Sequence, residues 1–346
     1  MKTELISTIE QQPYKEFLDK IPNVTFFHSF NHINYLKDIL KIEPNFFVTY
    51  DKNEIIGILP FFMKKTSAGK IINSLPFFGS YGGIITDNKI AGTQLVQNFN
   101  SFVKYNDILS AVLITNPFNG IDDLLEKEFE YNFSEERFTQ CTILKDVTIE
   151  NLFSSFEKRV RWSIKKSEKQ NIEVKIINSD NEHMEYFYKL HVNSMKAKNG
   201  NPKPKLLFTV LTQNFIPTKD YDIFIAFKEN QPISYILIFY YKGFAEYYMP
   251  AYDPKFRDSQ STSYLIWCAL KKAIEKKIKF FNFGGTWKSQ KELYLFKRGW
   301  NAREFHYKYY GKSNLDLIKE IGLKRLQKDF EHFYLCPYEL INANEK

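Results

Sequence analysis

Residues Tyr264 to His306 read YLIWCALKKAIEKKIKFFNFGGTWKSQKELYLFKRGWNAREFH, and the order of patterns in this stretch decides how the chain is read. A helix with an apolar stripe through Leu265, Ala269 and Ala273 runs into Phe280 to Phe283, a strand so hydrophobic that it belongs at the centre of a sheet. Gly284-Gly285 then breaks the strand, and a second helical stretch carries the pair Phe296-Lys297. Two glycines at a strand exit permit a tight turn or the close approach of a ligand. Helix, strand, glycine turn and helix in succession put a site at the carboxyl end of a strand. Elsewhere the chain shows no metal-ligand cluster, Walker loop or nucleophile elbow.

Outward from this stretch, 346 residues are enough for two domains of ordinary size. The 44% hydrophobic and 25% charged composition is that of a globular protein, and 33 Phe with 22 Tyr supply aromatic surface for cores and grooves. A formal charge of +8 favours anionic partners such as phosphates, nucleic acid or an acidic membrane surface, although a lysine-rich solvated surface has the same signature. Cys141, Cys268 and Cys336 lie far apart, without a CxxC or a His at ligand spacing, so the reading is a reducing compartment and no metal site. Met1 to Asp19 lacks the apolar core of a signal peptide, and Ile55 to Phe62 is too short to span a bilayer, so the chain reads as cytoplasmic.

Asn45 to Tyr50 and Ile55 to Lys64, joined by four polar residues, form a hairpin pattern. Asp222 to Phe227, Ile233 to Tyr241 and Phe244 to Met249 form a second one, extended to a meander. Each follows a helical stretch, Phe30 to Leu40 and Leu206 to Phe215, which suggests an internal duplication. Leu152 to Gln170 reads as one helix with Lys158, Arg161, Lys165 and Lys169 on its polar face. Lys198 to Lys205 is a break, and Asn314 to Phe333 reads as a closing helix.

RVRWSIKKSEKQNIEV (Arg159 to Val174), NGNP (Asn199 to Pro202), FNFGG followed by LYLFKRGW, and LPFFGSYGGI (Leu75 to Ile84) together resemble the FemAB-type branch of the GNAT acyltransferase superfamily. The resemblance spans nearly the whole chain, and the joint order of these short motifs carries its specificity. It implies an α/β (α+β) fold of two tandem GNAT-like modules, each a mixed, mostly antiparallel sheet flanked by helices, with a cleft between them. The first module would take residues 1–145 and 313–346, the second, with the donor site, residues 146–312. The activity implied is transfer of an acyl or aminoacyl group to an amine. The strands that splay around the donor would be Phe244 to Ala251 and Phe280 to Phe283.

Physical reasons stand beside these expectations. The loop Asp253 to Ser263 precedes a helix, and its residues Arg257, Asp258, Ser259, Gln260, Ser261 and Thr262 offer backbone N–H groups, a dipole end and a cation to a pyrophosphate. A plain N-cap by Ser261 or Ser263 explains the same composition. No glycine occurs between Gly243 and Gly284, which departs from the glycine-spaced acetyl-CoA pattern of the wider superfamily. The stripe with Arg161 and Lys165 could hold a nucleotide-sugar diphosphate, a CoA phosphate or an RNA backbone, a solvated helix face being the plainer alternative, with Tyr81, Phe296 and Trp287 as further substrate contacts and Gly284 with Gly285 at the donor. The resemblance puts Lys297 in the transfer channel, where an ammonium could neutralise a developing oxyanion or position an acceptor phosphate; a solvated lysine on an amphipathic helix is the plainer alternative. Glu246, Tyr248 and His191 are the candidates for moving the amine proton. Cys268 reads as core, so direct attack within a ternary complex is expected in place of a covalent intermediate.

The function these readings favour is an acyl-CoA-dependent (acetyl-CoA in the simplest case) N-acyltransferase. Its acceptor would be an amino sugar, nucleotide-linked glycan or amino-acid-like amine in envelope or polysaccharide biosynthesis. An aminoacyl-tRNA-dependent transferase building peptidoglycan bridges is the alternative, and a non-catalytic glycan- or nucleic-acid-binding relative is a third. Peripheral contact with an anionic membrane surface fits the charge; DNA is not an expected partner.

Overall fold

Apolar residues recur at every second position of the strands and every third or fourth of the helices, and in the computed structural model these faces close on separate cores. The structure describes residues 1–77, 81–177, 181–197, 200–287 and 289–342. The chain divides into two compact units, one of residues 1–138 and 306–346, the other of residues 139–305.

In the first unit, β1 (Lys2–Ile6), β2 (Pro44–Asp51), β3 (Glu54–Thr66), β4 (Gly69–Asn73) and β5 (Ile108–Ile114) lie side by side in that order. The β2–β3 hairpin expected from the sequence is present, closing at Asp51 and Glu54 around Lys52, whose φ is +55°. β4 and β5 are parallel because the Lys89–Tyr105 helix makes the crossover. That helix lays Leu95, Val96 and Phe99 against Phe47 and Phe61, whose rings stack at 5.7 Å.

The chain passes into the second unit along β6 (Phe133–Ile143). There β7 (Glu173–Ile177), β8 (Tyr221–Lys228), β9 (Gln231–Tyr241), β10 (Phe244–Tyr252) and β11 (Phe280–Thr286) follow, in the spatial order β6-β11-β10-β9-β8-β7. The run from β8 to β10 is the expected antiparallel meander, and β7 adds one more antiparallel strand to it. β11 pairs parallel to β10, since the Ser261–Glu275 helix carries the chain back across the sheet. One sheet face packs Ala245, Phe281 and Phe283 against Leu265, Ala269 and Ala273 of that helix and against Val160 and Ile164. The Asn181–Lys196 helix covers the other face along β10. β12 (Arg303–Ser313) returns the chain to the first unit, where it pairs antiparallel with β5 from Tyr309 to Ser313. Each unit is thus a mixed, mostly antiparallel sheet flanked by helices.

Two long helices expected from periodicity are each broken in two. Leu152 to Gln170 is divided into Ile149–Ser155 and Lys158–Lys169, with Phe156 and Glu157 extended between them. The break drives the Phe156 ring against Trp267 and Trp300, and Arg161 donates to the freed carbonyls of Ser154 and Phe156 at 2.7 Å each. Asn314 to Phe333 is divided into Leu315–Ile321 and Leu323–Asp329 at Gly322, whose φ of +89° no right-handed helix accommodates. Leu206 to Phe215 likewise forms two short turns, Leu206–Thr209 and Leu211–Asn214.

Candidate active site

The centre of the second unit is the place where β10 and β11 part. Their parallel register runs Phe244↔Phe280, Ala245↔Phe281 and Glu246↔Asn282, and ends there although both strands continue. Beyond it β10 shifts register against β9 between Tyr247 and Met249, a bulge that places Tyr248 outside the regular ladder. A bulge bends its strand and re-aims the residues beside it.

Alternation along the strands turns Glu246 and Asn282 to the face opposite Ala245, Phe281 and Phe283. Glu246 is 3% exposed and Asn282 is fully buried. Asn282 Nδ2 donates to Glu246 Oε2 at 2.7 Å, while its Oδ1 accepts from Thr139 at 2.5 Å, from Cys141 Sγ at 3.2 Å and from Gly284 N at 2.9 Å. Glu246 Oε1 has no hydrogen-bond partner among the described residues. Burial raises the Glu246 carboxyl well above its ordinary range, and the Asn282 bond offsets only part of that. Burial also pushes the Cys141 thiol up, so it is not a nucleophile at neutral pH.

Lys297 approaches the same strand end from the Lys291–Arg298 helix. Its Nζ donates to Gly284 O and Gly285 O at 2.8 Å each and to Thr286 Oγ1 at 2.9 Å. Thr286 in turn donates to Gln140 Oε1 at 3.0 Å. Burial lowers the ammonium to about 7, and three acceptors, one for each N–H, match its charged form. Lys297 therefore shapes the end of β11 directly, and every N–H it has is taken up by the protein. Gly284, with φ +76°, is held on both sides: Asn282 accepts its N–H and Lys297 donates to its carbonyl.

The remaining sequence candidates separate into groups. Tyr248 packs its ring on Phe239 at 5.1 Å, the cross-strand partner of Glu246, and Lys203 stands over it at 4.6 Å. His191, on the Asn181–Lys196 helix, accepts the Lys203 backbone N–H at Nε2 and so anchors that loop. Lys198 and Asn199 of the expected break, and Phe78, Gly79 and Ser80 of the LPFFGSYGGI segment, lie outside the described residues. Tyr81 is fully buried in the first unit, its ring on Phe27 and Tyr307. Phe296 is half-buried with its ring 6.4 Å from Trp300, and Trp287 is exposed.

At the expected donor loop, Pro254–Ser259 forms a tight turn and Gln260, in left-handed conformation at φ +57°, leads into the Ser261–Glu275 helix. The cap is neither Ser261 nor Ser263: Gln260 occupies the position and its side chain makes no capping bond to the helix. It bonds back to Arg257 O at 3.2 Å. Ser259 is buried, and its carbonyl accepts from Ser167 at 2.7 Å, which fastens the turn to the neighbouring helix. Arg257 and Asp258 are exposed, Ser261 is buried and Thr262 half-buried. The Ser261 N–H, first in the helix, donates to Ser259 Oγ at 3.3 Å, so the preceding turn takes up part of the helix start and the positive dipole end is what it offers an anion.

Lys165 and Lys169 line a shallow outer groove of about 340 Å³ with Trp162, Lys166 and Gln170. Arg161 is not part of it, being turned to the carbonyls of Ser154 and Phe156. Among the described residues no group of three His, Cys, Asp or Glu side chains is gathered as a metal site, and no helix is long and apolar enough to cross a membrane.

Residues 154–308 match the acetyltransferase (GNAT) domain. This stretch is a GNAT domain. The fold around it is similar to that of three solved structures. The crystal structure of FemX has a TM-score of 0.70 at 15% identity, over 89% of this chain and 97% of that chain. L-PGS from Bacillus licheniformis has a TM-score of 0.59 at 10% identity, over 88% and 92%. The tandem GNAT protein from the clavulanic acid biosynthesis pathway has a TM-score of 0.52 at 7% identity, over 90% and 98%. No curated protein sequence matches the chain. The parting strands, the bulge at Tyr248 and the start of the Ser261–Glu275 helix all lie inside the stretch that matches the GNAT domain.

Asn282, Thr139, Gln140 and Thr286 escaped the sequence reading. Asn282 did leave a signal, as the one polar residue in the aromatic run Phe280 to Phe283. The other three look like ordinary strand residues until β6 is seen beside β11.

Proposed function

We propose that the GNAT domain transfers an acyl group from acyl-CoA to the amine of an amino sugar, a nucleotide-linked glycan or an amino-acid-like acceptor, in the cytoplasm and for cell-envelope or polysaccharide biosynthesis. The observation that carries this reading is the parting of β10 and β11 at Glu246 and Asn282, with a buried carboxyl oxygen beside the gap that has no partner among the described residues. In this reading the thioester lies along the parted strands, beside the bulge at Tyr248. The pyrophosphate meets the start of the Ser261–Glu275 helix, whose positive dipole end suits an anion. The amine attacks the thioester carbon, a C–N bond forms, the C–S bond breaks, and CoA leaves as the thiolate. The proton lost by the amine passes to Glu246 Oε1, which must first be ionised. Because burial raises that carboxyl, the rate should climb with pH through a limb above the ordinary carboxylate range. Lys297 acts by fixing the backbone of Gly284 to Thr286.

A second reading, with aminoacyl-tRNA as donor, is favoured by one feature. Lys165, Lys166 and Lys169 share a face with exposed Trp162, and no carboxylate pairs with them among the described residues. Such a face suits a phosphate backbone. Mass spectrometry of amine acceptors incubated with acyl-CoA or with charged tRNA separates the two. Product formed with acyl-CoA alone is expected; product formed only with charged tRNA overturns the preferred donor.

A further inference from the structure

We propose that Asn282 is a positioning residue that aims Glu246 at the acceptor amine and couples it to the backbone at the end of β11. This rests on the reading of Glu246 as the group that receives the amine proton. The amide has one workable orientation. Its Oδ1 accepts from the Gly284 N–H, the Thr139 hydroxyl and the Cys141 thiol, and a flipped amide would set two of its own N–H groups against the Gly284 N–H. With Oδ1 so fixed, Nδ2 points at Glu246 Oε2, 2.7 Å away. That bond occupies one carboxyl oxygen and leaves Oε1, buried and unpartnered among the described residues, to hold or take the transferred proton.

The position in the sheet explains why an amide is needed. Backbone pairing between β10 and β11 ends at Glu246↔Asn282, so the side-chain bond continues the link where the ladder stops. The same Asn282 closes back on Gly284, whose carbonyl Lys297 holds from the other side. A shift at the strand end is thus transmitted to the carboxyl through a single side chain. Of the ionisable groups around Glu246, Cys141 on β6 bonds to Asn282, and Lys297 from the Lys291–Arg298 helix bonds to the strand end. From the Asn181–Lys196 side, Lys203 stands over Tyr248 and His191 accepts the Lys203 backbone N–H.

The test compares Asn282→Asp, Asn282→Ala and Glu246→Gln in the full chain, by acyl transfer as a function of pH and by the infrared titration of the Glu246 carboxyl. Asn282→Asp keeps an acceptor for Gly284, Thr139 and Cys141 but sets a second carboxyl against Oε2. Asn282→Ala removes the bond that favours the ionised form. Both should move the low-pH limb of kcat/KM and the carboxyl titration upward by about one pH unit or more, with rate recovered as pH rises. An unmoved limb and unmoved titration in both variants overturn the proposal. If only one variant folds, its carboxyl titration alone decides. Full activity in Glu246→Gln would instead overturn the proton-acceptor reading, whatever the Asn282 variants do.

Discussion

Glu246 and Lys297 bring ionisable groups into the interior of the second unit, and burial drives both toward neutrality from opposite sides. For Glu246 the folded-state value lies above the ordinary 4.5, so the folded protein keeps a proton that the unfolded chain has lost. Stability from this group is complete below about 4.5 and drains away as pH rises toward the folded value. Glu246→Gln removes that dependence, so the Tm of the variant relative to the parent should rise with pH above that point. For Lys297 the folded value is about 7 against 10.5, so the unfolded chain holds the extra proton between them and the parent gains stability with rising pH across that window. Lys297→Met lacks this slope and leaves the Gly284 and Gly285 carbonyls without their donor. Its deficit should be about 2–4 kcal/mol and should widen from pH 7 to 10.5, as denaturant melts at several pH values would show. The sequence marked Lys297 and Glu246 by their company, Gly284-Gly285 and an apolar strand. It could not mark Asn282 as their link, because that role depends on the lateral neighbours Thr139 and Cys141, more than a hundred residues away in the chain.

At the scale of elements, glycines separate into those that open a site and those that close a core. Gly284 has φ +76° with nothing within 4 Å of an added Cβ, so Gly284→Ala should cost only the left-handed strain, about 1–2 kcal/mol. Gly83 has φ +86° and would place a Cβ 2.7 Å from the Ile114 carbonyl oxygen, so Gly83→Ala should cost more than about 3 kcal/mol. Urea denaturation of the two variants measures the difference. Strands and hairpins were legible because their alternation is local. The helix break at Phe156 and Glu157 was not, since neither residue is a helix breaker. It is made by Phe156 packing on Trp267 and Trp300 and by Arg161 bonding to the exposed carbonyls. The bulge at Tyr248 is equally silent in sequence, for it exists only as a register shift against β9.

For the whole molecule, a donor that binds only the folded state should raise Tm. CoA at about 100 times its Kd adds about 2.7 kcal/mol, and a scanning experiment with CoA, adenosine and uncharged tRNA would show which ligand does so. A shift with CoA and none with tRNA is the outcome expected. The amino-acid sequence by itself determined the α/β character, the duplication of hairpin patterns and the GNAT-like order of motifs, since periodicity and motif order are properties of neighbouring residues. Tertiary structure alone decided that Lys297 is held by three strand-end acceptors, that Arg161 seals a helix end, and that one Glu246 oxygen is without a partner among the described residues. The physical reason is the same in each case: burial and hydrogen-bond partnership are set by segments distant in the chain, and a side chain's chemistry follows from its partners as much as from its type.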